Sequence, residues 1–188
     1  MRLATVVKTM KTRSKVATIL VASALAAGLV QPASALLTGA TPVSVSLTGG
    51  VLGITVPTAA VPLGSHANEV GGSLISGALG TVQVNDARSA VAGSGWVTSV
   101  IATALTPTAG GPTIGATYIG YTVGTITQVG TATYTANNPP DLTGVSAAVT
   151  ATGITGDNSA TWNPMINVAV PGGLAAGSYT GTITHSLV

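Results

Sequence analysis

Residues 161–188 read TWNPMINVAVPGGLAAGSYTGTITHSLV, and their patterning decides the fold. Trp162, Pro164, Ile166, Val168 and Val170 share one parity. Tyr179, Ile183, His185 and Leu187 share one face of a second run, opposite Thr180, Thr182, Thr184 and Ser186. Side chains of a strand alternate between its two faces, so each run has an apolar side and a largely polar side. Pro171-Gly172-Gly173 ends the first run and Gly177 opens the second. The pattern predicts a closing antiparallel hairpin with one face on a core, and upstream strands must cover that face.

Such strands recur along the chain. Val43, Val45 and Leu47 alternate with serines, Gly49-Gly50 offers a turn, and Leu52, Ile54 and Val56 alternate again, so a first hairpin is expected. Prolines and glycines interrupt residues 57–79, which read as a loop with room for one short strand. Residues 80–88 form a strand pattern in which Val82, Val84, Asp86 and Arg88 share a parity. A small-residue loop is expected over 89–95, a strand over 97–105 after Trp96, and a loop over 106–115. In the strand expected over 116–123, Tyr118 and Tyr121 take opposite faces, with Ile119 and Val123 beside Tyr121. Threonines alternate around Tyr134 in 130–136, and Asn137-Asn138-Pro139-Pro140-Asp141 reads as a turn. Val145, Val149 and Ala151 face one way in the next strand, and 153–159 reads as a second polar turn. The expected fold is all-β: an antiparallel β-sandwich of the Ig-like, Greek-key kind.

The N-terminus has a different character. Arg2, Lys8, Lys11, Arg13 and Lys15 precede an uncharged apolar run over 16–30, followed by Ala33-Ser34-Ala35. A basic start, an apolar stretch and a small-x-small site form the three-part pattern of a secretory signal peptide. The apolar run is shorter than the roughly 18 residues a membrane-spanning helix needs. Residues 1–35 are therefore expected to be removed, leaving 36–188 as one secreted domain, extracellular or wall-associated and not held in a membrane. Residues 36–188 keep one cation, Arg88, against Glu69, Asp86, Asp141 and Asp157, a net charge of −3. One cation makes no basic patch, which excludes nucleic acid and anionic membrane as partners. The chain has no cysteine, so packing and backbone pairing must hold it without disulfides. Abundant Val and Thr favour strands over disorder.

Several residues are candidates for a site. Asp86 and Arg88, two residues apart on the apolar face, fit a partly buried charge-assisted contact, with an anionic ligand for Arg88 as the alternative. Trp96 fits a core anchor or a platform for stacking sugars. His66 and Glu69 lie in a loop without a further ligand cluster near in sequence, and Asp141 and Asp157 fit turn capping better than calcium binding. No Gly-x-Ser-x-Gly elbow occurs, and residues 36–188 offer no Cys or Lys nucleophile. Neither catalysis nor a cofactor is expected.

The run Val84-x-Asp86-x-Arg88, followed by Gly95-Trp96, resembles the first half of the WxL domain of Gram-positive bacterial surface proteins. Val168, Val170, Pro171, Gly177 and Tyr179 match the stretch that leads into its second half, and the Tyr179 to Leu187 segment lies in register with the second motif itself. Thr98 stands where the first motif has leucine, His185 where the second has tryptophan, and Ser89 where glycine follows the arginine. The resemblance implies an exported, non-catalytic, all-β protein attached non-covalently to peptidoglycan. The binding residues then expected are Trp96, Arg88, Asp86, Trp162, Tyr179 and His185, and the expected partners are a cell-wall polymer or other surface proteins. The alternative expectation is a structural subunit that self-associates into a surface layer, fibre or adhesive appendage, since few charges guard its strand edges.

Overall fold

Period-two alternation becomes ten strands in the computed structural model, which describes residues 41–188. The export segment expected over residues 1–35 lies outside the described residues. Val45–Val188 forms a unit of its own and carries every strand. The strands are β1 (Leu52–Thr55), β2 (Ser73–Ala78), β3 (Val82–Ala102), β4 (Thr106–Pro107), β5 (Ile119–Thr122), β6 (Thr127–Ala136), β7 (Ser146–Trp162), β8 (Met165–Val170), β9 (Tyr179–Thr180) and β10 (Ile183–Leu187). The only helical element among the described residues is a 3-10 turn, Ala116–Tyr118.

Two antiparallel sheets form the sandwich. In the larger, β3 and β7 pair along most of their lengths, and β6 lies on the far side of β7. The remaining edge of β3 is shared end to end: β1 pairs residues 83–86 and β10 pairs 98–102. The smaller sheet has the order β2-β8-β5, and β4 and β9 form a separate two-stranded ladder. The inner faces meet in one core. Val82, Val84 and Val100 come from β3, Val149, Ile154 and Trp162 from β7, Ile119 and Tyr121 from β5, and Ile166 and Val168 from β8. Burial of these side chains contributes about 1.5–3 kcal/mol each and is the main stabilising term in a chain without disulfides.

Five expectations need correction. The runs within 161–188 do not pair with each other. β8 pairs with β2 and β5, whereas β10 pairs with β3, so Pro171-Gly172-Gly173 opens a crossing between sheets. Trp162 ends β7, and the chain leaves for the smaller sheet at Asn163-Pro164. Alternation fixes which way a side chain faces but leaves the partner strand unspecified. The expected first hairpin is absent as well. Leu52–Thr55 pairs with β3, while Val43, Val45 and Leu47 are exposed and belong to no strand.

The expected loop at 89–95 and turn at 153–159 are instead the middles of β3 and β7. Their ladder slips at three places between Asp86 and Trp96. The small residues supply the left-handed conformations that such bulges use: φ is +53° at Ser89, +63° at Gly153 and +72° at Gly156. A further slip pairs Thr98 with Val149 but Ser99 with Ala147. That bulge breaks the parity, so Ala148 and Val149 are both buried while Val145 is exposed.

Candidate functional site

Five of the six sequence-predicted residues fall into two polar clusters, and Tyr179 stands apart. The first is built on the paired long strands. Asp86 on β3 lies directly opposite Asn158 on β7. Arg88 Nε donates to Asp86 Oδ1 at 2.8 Å and Arg88 Nη2 to Oδ2 at 2.9 Å, a bidentate pair. The Arg88 backbone N–H also donates to Oδ1 at 3.2 Å, and Asn158 Nδ2 donates to Oδ2 at 3.2 Å. Four donors therefore surround a fully buried carboxylate. Hydrogen bonding from Arg88 above all holds the Asp86 carboxyl below its ordinary value of 3.8, against the opposing effect of burial.

Asn158 extends the cluster. Its Oδ1 accepts from Trp96 Nε1 at 3.1 Å and from the Tyr134 hydroxyl at 3.1 Å. Trp96 on β3 and Tyr134 on β6 both lie opposite Ala151 on β7, whose small side chain lets the two rings lean together at 5.7 Å between centroids. Three neighbouring strands are thus tied by side chains as well as by their ladders. Sequence reasoning passed over Asn158, because Gly156-Asp157-Asn158-Ser159 reads as a turn. The signal that could have found it is that a buried indole N–H requires an acceptor.

The second cluster crosses between sheets. Trp162 Nε1 on β7 donates to the Tyr121 hydroxyl on β5 at 3.0 Å, and that hydroxyl lies 3.1 Å from His185 Nε2 on β10. The hydroxyl, whose oxygen accepts from Trp162, suits a neutral His185 ring in either tautomer, donating to a bare Nε2 or accepting from an Nε2–H. Burial agrees with that state: it pushes the His185 pKa below 6.5 and raises that of Tyr121 to about 12. His185 therefore faces inward between Ile183 and Leu187, as its parity requires, and finds a partner there.

Burial decides what these residues can do. Trp96 and Trp162 are each 2% exposed, so neither indole offers a face on which a sugar could stack; Trp96 is the core anchor, and its stacking alternative is withdrawn. Asp86 is enclosed, while the Arg88 side chain is 38% exposed but occupied by Asp86. Tyr179 is half-buried, and its hydroxyl donates to the Ala175 carbonyl at 2.9 Å. The six residues separate into the first cluster, the second cluster and an isolated Tyr179. Thr98, at the leucine position of the first motif, is buried too; its hydroxyl donates to the Val149 carbonyl and accepts from the Val149 N–H at the bulge.

Of the remaining polar candidates, Asp141 caps a turn as expected, whereas Asp157 reaches across to the next strand. Asp141 Oδ1 accepts from the backbone and hydroxyl of Thr143, a turn cap. Asp157 Oδ1 accepts from the Ser89 N–H at 2.8 Å and so braces the left-handed residue from the neighbouring strand. His66 and Glu69 are exposed. Among the described residues, no three His, Asp or Glu side chains converge as a metal site. Comparison of the chain with protein-family models, curated proteins and solved structures finds no match.

Proposed function

We propose that the chain is a secreted, non-catalytic surface domain that associates non-covalently with the cell wall of a Gram-positive bacterium. One observation supports this reading above the others. The residues that resemble the first WxL motif, Asp86, Arg88 and Trp96, meet in a single cluster through Asn158, so the pattern corresponds to one three-dimensional arrangement. Their task is to hold the strands of the larger sheet together, and contact with the wall falls to exposed surface elsewhere. With a net charge of −3 on residues 36–188, attraction to anionic wall polymers is not the driving force, and binding should survive moderate salt.

A second reading, self-assembly into a surface layer or fibre, is favoured by a different observation. β6 is a terminal strand of ten uncharged residues whose outer edge pairs with no strand among the described residues. Val45 and Leu47, patterned as a strand, are exposed and unpaired. Unguarded edges and spare strands favour pairing between copies. Co-sedimentation with purified peptidoglycan across a salt series, run beside size analysis of the free protein, separates the two. Sedimentation of the folded monomer supports the wall; regular oligomers that ignore the wall transfer the function to assembly.

A further inference from the structure

We propose that the outer face of the three-stranded sheet is a groove for an uncharged saccharide, with the Tyr118 ring as its stacking platform. The proposal rests on the wall-binding reading and names the surface that makes the contact. The groove has a volume of about 280 Å³ and is lined from β2, β5, β8 and the Asn138-Pro139-Pro140 segment. Tyr118, at the end of the 3-10 turn, is 45% exposed, and it is the exposed aromatic side chain among the described residues.

The floor is built for close approach. A Cβ on Gly120 would stand 3.1 Å from the Pro140 carbonyl oxygen, so glycine lets the proline segment lie close over β5. The Tyr121 N–H donates to the Pro139 carbonyl at 3.0 Å and fixes that wall. Asn138 Oδ1 accepts the Val123 N–H at 2.8 Å, which orients its amide and leaves the Nδ2 hydrogens without a partner among the described residues. On the floor, Asn167 Nδ2 donates to Thr122 Oγ1 at 3.1 Å while Asn167 Oδ1 accepts from Ser76 Oγ at 2.8 Å. That arrangement holds the Thr122 hydroxyl with its own proton free to donate. No lining residue carries a charge.

An aromatic face beside neutral amide and hydroxyl groups matches the chemistry of a pyranose ring, which has apolar C–H faces and a rim of hydroxyls. The absence of any cation in the lining disfavours a phosphate or carboxylate polymer, since a bound anion would face only neutral donors.

The test titrates the protein with a soluble chitin oligosaccharide and sediments it with purified peptidoglycan, each beside a melting curve. Tyr118→Ala should melt like the parent and lose about tenfold or more in affinity, equal to about 1.4 kcal/mol, whereas Tyr118→Phe should bind like the parent. Leu74→Arg, at an exposed position in the same groove, should block binding without touching Tyr118. If Tyr118→Ala and Leu74→Arg sediment with the wall as the parent does, the groove is wrong while the wall reading stands. If the parent takes neither oligosaccharide nor wall, both readings go. If the groove variants lose the wall but the parent ignores the oligosaccharide, the saccharide assignment is overturned.

Discussion

Asp86→Asn keeps the shape of the buried side chain and removes one of its capacities. Each carboxylate oxygen accepts from two donors: Oδ1 from Arg88 Nε and the Arg88 N–H, Oδ2 from Arg88 Nη2 and Asn158 Nδ2. Whichever way an asparagine amide is turned, its NH₂ faces two donors. Two charge-assisted hydrogen bonds are lost, at about 1.5–3 kcal/mol each before relaxation. The Arg88 share must be discounted, because its side chain is 38% exposed and can turn to water. Asn158 is buried and has no such escape. The expected cost is about 2–4 kcal/mol at neutral pH, or a fall in Tm of about 4–16 °C for a unit of this size. Urea and thermal unfolding followed by circular dichroism measure it. Arg88→Ala should cost less than Asp86→Ala, and the double variant less than their sum. The carboxyl's lowered pKa sets the pH dependence: its stabilisation is complete above 3.8 and is lost as pH falls through the folded value. A variant Asp86→Asn that melts with the parent, or a parent whose acid unfolding is unaltered by the substitution, would refute the four-donor account.

The second cluster gives its own expectations. Because the folded pKa of His185 lies below 6.5, stability should be constant above that value and fall as pH drops below it; unfolding curves at several pH values, with a His185→Gln control that flattens the slope, check this. In an ultraviolet titration one tyrosine, Tyr121, should ionise only near pH 12, and its loss from Tyr121→Phe should remove that late step. Tyr121→Phe should also cost about 1–3 kcal/mol, since it strips the partner from the Trp162 N–H. At Ser89, with φ of +53°, Gly should be at least as stable as Ser and Val clearly worse; equal melting of all three would mean the left-handed backbone is not held in solution.

Facing was legible in the sequence and pairing was not. Val82, Val84 and Asp86 share the buried side of β3, and Ile183, His185 and Leu187 that of β10, because period two is a property of each strand alone. Partners of β8 and β10 are chosen by contacts across most of the chain, which no local pattern records. The glycine- and serine-rich stretches misled for a different reason. A residue with positive φ serves a loop and a bulge equally well, and here two long strands absorb three successive slips without ending. The ion pair was legible from parity. The Asn158 hub was hidden by its turn-like neighbours, and the Tyr121–His185 contact joins side chains 64 positions apart.

The end-to-end sharing of β3 by β1 and β10 bears on how the chain reaches its fold. One edge of the central strand is occupied by residues 52–55 and again by 183–187, so the sheet cannot close until both exist together. Contacts of such sequence separation form slowly, because the chain loses loop-closure entropy before the pairing compensates. A nascent chain that still lacks β10 leaves residues 98–102 of β3 with nothing across that edge, and so remains open until β10 has been made. For a protein that we propose to be exported, that delay is useful: an unclosed sheet can still be threaded through a narrow pore, and β10 then locks the molecule on the far side.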